Sequence, residues 1–170
     1  MKLQVEQAKE RVGTNIPFAY AASPLELGDV VAFPWSRHDI TVSGEFRYDG
    51  TNIVVEGTVR TKGTYECVRC LEETEHKSDI SFADAFRPVG EISSDDEEDV
   101  HPFDGDVVDL TELIRETLII NEPVQVLCQD DCRGLCSRCG TNLNHDSCEC
   151  DTFVIDPRLA VLRTLLDNDD

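Results

Sequence analysis

The chain has 170 residues, with 35 acidic against 15 basic side chains, a formal charge of −20 and a pI of about 4.3. A hydrophobic content of 40% is enough for one ordinary core, or for a core plus a small stapled lobe, while the aromatic content is only 6%. The charge opposes wide contact with phosphate backbones and favours basic partners, and no run of about 18 apolar residues is present to cross a membrane.

The start, Met1-Lys2-Leu3-Gln4-Val5-Glu6, is too polar for a secretory leader, so a cytoplasmic address is expected. Disulfides are disfavoured there, and the eight cysteines need another account. Leu3 and Val5 suggest an opening strand. The stretch to residue 35 then reads as irregular, punctuated by Pro17, Pro24, Gly28 and Pro34, with Ser23-Pro24-Leu25-Glu26 able to start a short helical turn.

From Ile40 the period becomes two. Ile40, Val42, Gly44, Phe46 and Tyr48 alternate with polar residues, and Asp49-Gly50-Thr51-Asn52 is a hairpin signal. Ile53, Val55, Gly57, Val59 and Thr61 form the partner strand, and Lys62-Gly63 reads as a second turn. Residues 65 to 71 then make a third strand, and Ile80, Phe82, Asp84 and Phe86 a fourth. Four short strands with tight turns predict an antiparallel meander.

Residues 90–106 interrupt the pattern. Their core, Gly90-Glu91-Ile92-Ser93-Ser94-Asp95-Asp96-Glu97-Glu98-Asp99, is a block of like charge with little to bury, expected as a disordered acidic loop. A helix over 109–119 follows. Asp109 is its N-cap with Glu112 three residues on, and Leu110, Leu113, Ile114, Thr117 and Leu118 share one face. Asp156-Pro157 opens a second helix over 156–166, lined by Leu159, Leu162, Leu165 and Leu166.

The cysteines carry the chemistry. Cys128, Cys132, Cys136, Cys139, Cys148 and Cys150 crowd one segment, and Cys67 and Cys70 stand upstream. In Cys136-Ser-Arg-Cys139-Gly140 the two-residue spacer lets both sulfurs converge on one ion, and the glycine lets the backbone turn beneath it. Eight thiols are enough for two tetrahedral sites, and one or two structural zinc ions are expected. The economical pairing puts Cys136, Cys139, Cys148 and Cys150 on one ion and Cys67, Cys70, Cys128 and Cys132 on the other. The rival joins Cys67/Cys70 to Cys136/Cys139 and Cys128/Cys132 to Cys148/Cys150, and spacing leaves both open.

Iron–sulfur ligation would use the same donors. A thioredoxin-like role for Cys67/Cys70 wants a βαβ context that the meander does not offer. His145 could replace a thiol but reads as a surface-loop residue, and His38, His76 and His101 have no partner motif and are expected in solvent. The expected fold class is therefore α+β: an antiparallel meander with one or two short helices over 1–127, and a cysteine-rich zinc lobe with its helix over 128–170.

Catalysis finds little support. All-cysteine zinc sites are closed and electron-rich, hence poor Lewis acids for hydrolysis, and the sequence has no Gly-rich phosphate loop, HExxH or nucleophile elbow. A non-enzyme is expected, with no small-molecule substrate. Between residues 128 and 150, Arg133 and Arg138 face Asp130, Asp131, Asp146 and Glu149, so only a local RNA contact through Arg69, Arg133 or Arg138 is conceivable.

Several segments are similar to a known family. Leu127-Cys-Gln-Asp-Asp-Cys-Arg-Gly-Leu-Cys-Ser-Arg-Cys-Gly-Thr-Asn-Leu-Asn144, Cys148-Glu-Cys150 and Ile155-Asp-Pro-Arg-Leu-Ala-Val-Leu162 resemble the YceD family, also called the large ribosomal RNA subunit accumulation protein family. Tyr65-Glu-Cys-Val-Arg-Cys-Leu71 and Asp109-Leu-Thr-Glu-Leu-Ile-Arg-Glu116 match it too. The resemblance implies a role in accumulation of large-subunit ribosomal RNA and hence in ribosome biogenesis. The expected partner is a basic large-subunit ribosomal protein or a precursor particle, with direct RNA binding through the zinc lobe as the alternative.

Overall fold

The computed structural model describes residues 1–28, 32–92 and 100–151. In chain order it contains β1 (Lys2–Gln4), α1 (Glu6–Glu10), β2 (Ile16–Ala22), a 3-10 turn (Pro24–Leu27) and β3 (Ile40–Tyr48). These are followed by β4 (Ile53–Glu66), β5 (Glu73–Pro88), a 3-10 turn (Val89–Glu91), β6 (His101–Phe103), β7 (Val107–Asp109) and α2 (Thr111–Ile120). The order of the main sheet is β2-β3-β4-β5-β6, antiparallel except for β5–β6, and β1 pairs with β7 in a separate ribbon. The class is α+β, as expected.

Alternation decides which side of the sheet is buried. Ile40, Val42 and Phe46 of β3 and Ile53, Val55 and Val59 of β4 point into the core, while Thr41, Glu45, Glu56 and Arg60 point out. Leu3, Val5, Ala8, Leu27, Val108 and Leu110 cover the inner face together with Leu113, Ile114 and Leu118 of α2. The α2 stripe is the one that helical spacing predicts. Asp109 accepts from the Thr111 N–H and hydroxyl at the helix start, with Leu110 as the residue that flanks the first turn.

Three expectations are corrected. The stretch before residue 35 contains a full strand, β2, because Ile16, Phe18 and Tyr20 turn inward while the outward positions are Pro17, Ala19 and Ala21. Apolar or neutral outward residues hide the alternation. The second and third predicted strands are one, β4, since Lys62-Gly63 is not a turn. Gly63 is buried in extended backbone where a Cβ would overlap the Tyr65 ring, and its pairing with His76 continues the ladder without a break. The third expectation concerns residues 90–106, which hold the short strand β6 with Pro102 on the sheet edge, where a missing N–H is tolerated.

The real turn after β4 lies at residues 67–72, the first cysteine pair. Since β3 pairs no further than Thr41 opposite Arg60, residues 61–66 and 73–78 extend beyond the third strand as a two-stranded arm about 20 Å long at ~3.4 Å per residue. Trp35, stacked on Phe33, braces the arm with Glu122, which accepts from the indole N–H at 3.1 Å, and Thr64 N–H donates to the Pro34 carbonyl. No helix among the described residues is long and apolar enough to cross a membrane. The acidic run at 93–99 and the helix expected over 156–166 lie outside the described residues.

Candidate metal centres

The tip of the arm and the segment after α2 meet. Val126 C=O accepts from Val68 N–H at 3.0 Å, and Arg69 C=O accepts from Leu135 N–H at 3.0 Å. These bonds seat the turn of residues 67–72 between two stretches of the later chain, and they gather the cysteines into two groups. Cys67, Cys70, Cys128 and Cys132 form an inner group, and Cys136, Cys139, Cys148 and Cys150 an outer one. In each, the sulfurs all lie within 4.8 Å of one another. Of the two arrangements the spacing allowed, the structure assembles the economical one.

The inner sulfurs stand 3.7 Å apart between Cys67 and Cys132 and 3.5 Å apart between Cys70 and Cys128. A disulfide requires about 2.05 Å, and all eight cysteines are free. A tetrahedron of sulfurs at 2.3 Å from zinc has edges of about 3.8 Å, so the donor type and spacing fit that ion. Both groups could hold zinc.

Both Cys-x-x-Cys turns are built alike. Cys67 N–H donates to Glu72 C=O and Leu71 N–H to Cys67 C=O; Cys136 N–H donates to Thr141 C=O and Gly140 N–H to Cys136 C=O. The fifth residue of each turn takes a left-handed backbone, φ 76° at Gly140 and φ 63° at Leu71. The conformation costs a non-glycine residue about 1–2 kcal/mol, and Leu71 bears it although its side chain is 61% exposed.

Backbone amides within the turns aim at sulfur. Burial alone would push the Cys67 thiol up, yet the N–H groups of Cys70, Arg69 and Cys128 hold it down to about 6. Cys128 is pushed up, first by burial. The outer group divides similarly. The Thr141 hydroxyl and N–H, with the Cys136 sulfur, bring Cys139 down to about 6, while its bond with Cys139 and burial push Cys150 up to about 12. Four thiols this close cannot all ionise without a cation between them.

Polar contacts join the two groups. Asn144, in the outer loop, donates to the Cys132 sulfur at 3.3 Å and accepts from Arg133 N–H at 2.8 Å. Glu72, at the arm tip, meets His145 at 2.7 Å and the Cys70 sulfur at 3.4 Å. His145 therefore faces a carboxylate beside the inner group and is outside both sets of four. The other histidines are also engaged: His38 with Thr64, His76 edge-on to Tyr65, and His101 with Asp84 at 2.9 Å. The expectation that they sit in solvent is corrected, because each partner is remote in sequence: strand pairing brings His76 and His101 to theirs, and the loop before β3 brings His38 to Thr64.

The three arginines separate. Arg69 donates through Nη1 to the Cys132 carbonyl at 2.8 Å and so ties the arm tip to the inner group. Arg133 and Arg138 are exposed, with no ion-pair partner among the described residues.

A family model described as Large ribosomal RNA subunit accumulation protein YceD matches residues 55–166, a span that includes all eight cysteines. The chain belongs to the YceD family. Among relatives of this YceD member, an uncharacterized Mycobacterium leprae protein is 35% identical over 95 residues, covering 54% of this chain and 43% of its own length. The uncharacterized protein YlbN of Bacillus subtilis is 26% identical over 134 residues, covering 77% and 76%. Large ribosomal RNA subunit accumulation protein YCED homolog 1, chloroplastic, of Arabidopsis thaliana is 28% identical over 124 residues, covering 56% and 39%. The chain thus spans under half the length of the M. leprae and A. thaliana relatives. No solved structure matches it. The family is named for accumulation of large-subunit ribosomal RNA, and the match begins inside β4, so it takes in the arm and both cysteine groups while β1 to β3 lie outside.

Proposed function

We propose that the chain is a non-catalytic, cytoplasmic factor in assembly of the large ribosomal subunit, its surface docking a basic ribosomal protein or a precursor particle. Both cysteine groups hold structural zinc in this reading. The observation that carries it is the coincidence of the family's link to ribosomal RNA accumulation with a charge of −20. Glu6, Glu10, Asp104, Asp130 and Asp131 are exposed and have no cationic partner within ion-pair distance among the described residues. Unneutralised acids on a rigid frame steer a cationic partner and keep it soluble before it reaches RNA.

Tagged protein recovered from cells at low salt is expected to bring with it a basic large-subunit protein or a precursor particle, and raised salt releases either. Recovery of neither sinks the reading. A second reading, direct RNA contact, is favoured by the exposed guanidinium groups of Arg133 and Arg138, which have no ion-pair partner among the described residues. Replacing both by Glu then abolishes a shift of large-subunit RNA while folding is kept, and Arg69→Glu weakens the fold as well. Absence of any shift by the unaltered protein at low salt removes this second reading.

A further inference from the structure

The two groups share a ligand set and differ in almost everything else. In the inner one, Cys67, Cys70 and Cys132 are 0%, 4% and 3% exposed and Leu127 and Leu135 pack around them. Its ligands come from segments 58 to 65 residues apart, so it opens only if the arm tip leaves the segment after α2. In the outer group all four ligands fall within residues 136 to 150, Cys136 is buried, Cys148 and Cys150 are half-buried and Cys139 is exposed. None of the four outer ligands lies on a strand of the sheet. Besides zinc, its restraints include the Leu143 N–H to Gly134 C=O bond and the polar contacts of Asn144 and His145.

Zinc-bound thiolate reacts with an electrophile only where the electrophile reaches sulfur, and exposure sets that reach. Resting on the zinc reading above, we propose that the outer centre is an exchangeable, peroxide-sensitive zinc site and the inner centre a permanent one. The exposed Cys139 sulfur attacks one oxygen of hydrogen peroxide, breaking the O–O bond; hydroxide leaves and a sulfenic acid forms. A second outer thiolate attacks that sulfur, displaces a second hydroxide and closes a disulfide. Two thiolates lose two electrons, peroxide gains two, and the zinc ion, left with two of its four ligands, departs. Oxidation thus frees the outer loop while the arm stays clamped, changing the surface around Arg133, whose N–H the loop residue Asn144 holds. Thiol reductants reverse the change and zinc re-enters.

Metal analysis of the purified, reduced chain comes first. Two zinc ions per chain support the zinc reading, and one ion with the outer thiols alone reactive already supports ready exchange. No metal in a folded chain sinks the zinc reading and the proposal with it. Hydrogen peroxide is then added to the two-zinc protein with a chromogenic zinc indicator, and the thiols are mapped by peptide mass spectrometry. The expected result is release of one ion at least about tenfold faster than the other, as exposure governs thiolate oxidation. A disulfide then lies within Cys136, Cys139, Cys148 and Cys150 while the inner four remain reduced. Simultaneous release, oxidation of the inner cysteines first, or retention of both ions overturns the proposal and leaves the zinc reading standing. Cys139→Ser is expected to remove the fast phase. Should that variant misfold, cadmium exchange into the unaltered protein, one site at a time, gives the same discrimination.

Discussion

At the sheet end of the molecule Ile40, Val42, Ile53, Val55, Val59, Ile114 and Leu118 are nearly or fully buried against one another, and this cluster extends to Phe86 and Phe103. At the arm tip the buried cluster is Cys67, Cys70 and Cys132, with Leu127, Cys128 and Leu135 half-buried around it. The first region is held by removal of apolar surface from water, at roughly 25 cal/mol per Å². The second has too little apolar surface for that, and its turns are instead organised around sulfur. The two regions therefore answer to different perturbations.

Metal removal should separate them most sharply. Binding of structural zinc contributes roughly 10–16 kcal/mol of apparent folding free energy in small zinc domains. A strong chelator under reducing conditions is expected to abolish hydrogen-exchange protection at Leu71, Cys136 and Gly140, whose amides bond within the turns, and at Leu135, whose amide bonds to the arm tip. Protection in the Ile53–Glu66 strand next to β3 should persist. Loss of protection throughout the sheet would show that the core depends on the metal as well.

Ile114→Ala tests the other half. Ile114 is 0% exposed, and truncation of a buried isoleucine costs about 2–5 kcal/mol. The expected outcome in denaturant unfolding is that loss with zinc content unchanged; a parallel loss of zinc would mean the two regions unfold as one.

A smaller effect of opposite sign is expected at Leu71. Leu71→Gly relieves a left-handed backbone cost of about 1–2 kcal/mol, partly offset by the greater freedom of glycine in the unfolded chain. A net gain of up to about 1 kcal/mol should appear in the metal-bound protein alone. If the variant is destabilised, the exposed leucine makes a packing contribution that its surroundings do not reveal.

The smallest effect concerns the β3–β4 turn. Asp49 Oδ1 accepts from Asn52 N–H at 2.7 Å and Thr51 N–H at 2.8 Å. Its carboxyl is held below the usual range, chiefly by the Asn52 bond. A depressed carboxyl stabilises the fold above its unfolded value of about 3.9 and loses that contribution as the pH falls through the folded value. Asp49→Asn should cost on the order of 0.5 kcal/mol at neutral pH, and the gap should close on acidification below about 4. A gap unchanged with pH would rule out the carboxylate as its source.

The legibility of these regions in the sequence followed the range of the interactions involved. The α2 stripe of Leu110, Leu113, Ile114, Thr117 and Leu118 and the turn at Asp49 depend on neighbours within a few residues, and spacing alone predicts them. The left-handed Gly140 was equally visible. Its counterpart, Leu71, was not, because nothing about a leucine announces a positive φ. Strand β2 was hidden by Ala19 and Ala21 on its outward face, and Gly63 imitated a turn while serving the Tyr65 ring.

The sequence by itself determined that eight thiols at close spacing would seek cations, that strands would dominate residues 40–88, and that the surface would be strongly negative. Only the tertiary structure decided which thiols meet, since Cys67 and Cys70 are brought to Cys128 and Cys132 by the arm and its backbone bonds to Val126 and Leu135. It also decided that one group would be enclosed and the other open to solvent. Spacing measures distance along the chain, whereas exposure and partner choice depend on which surfaces the folded chain lays against each other.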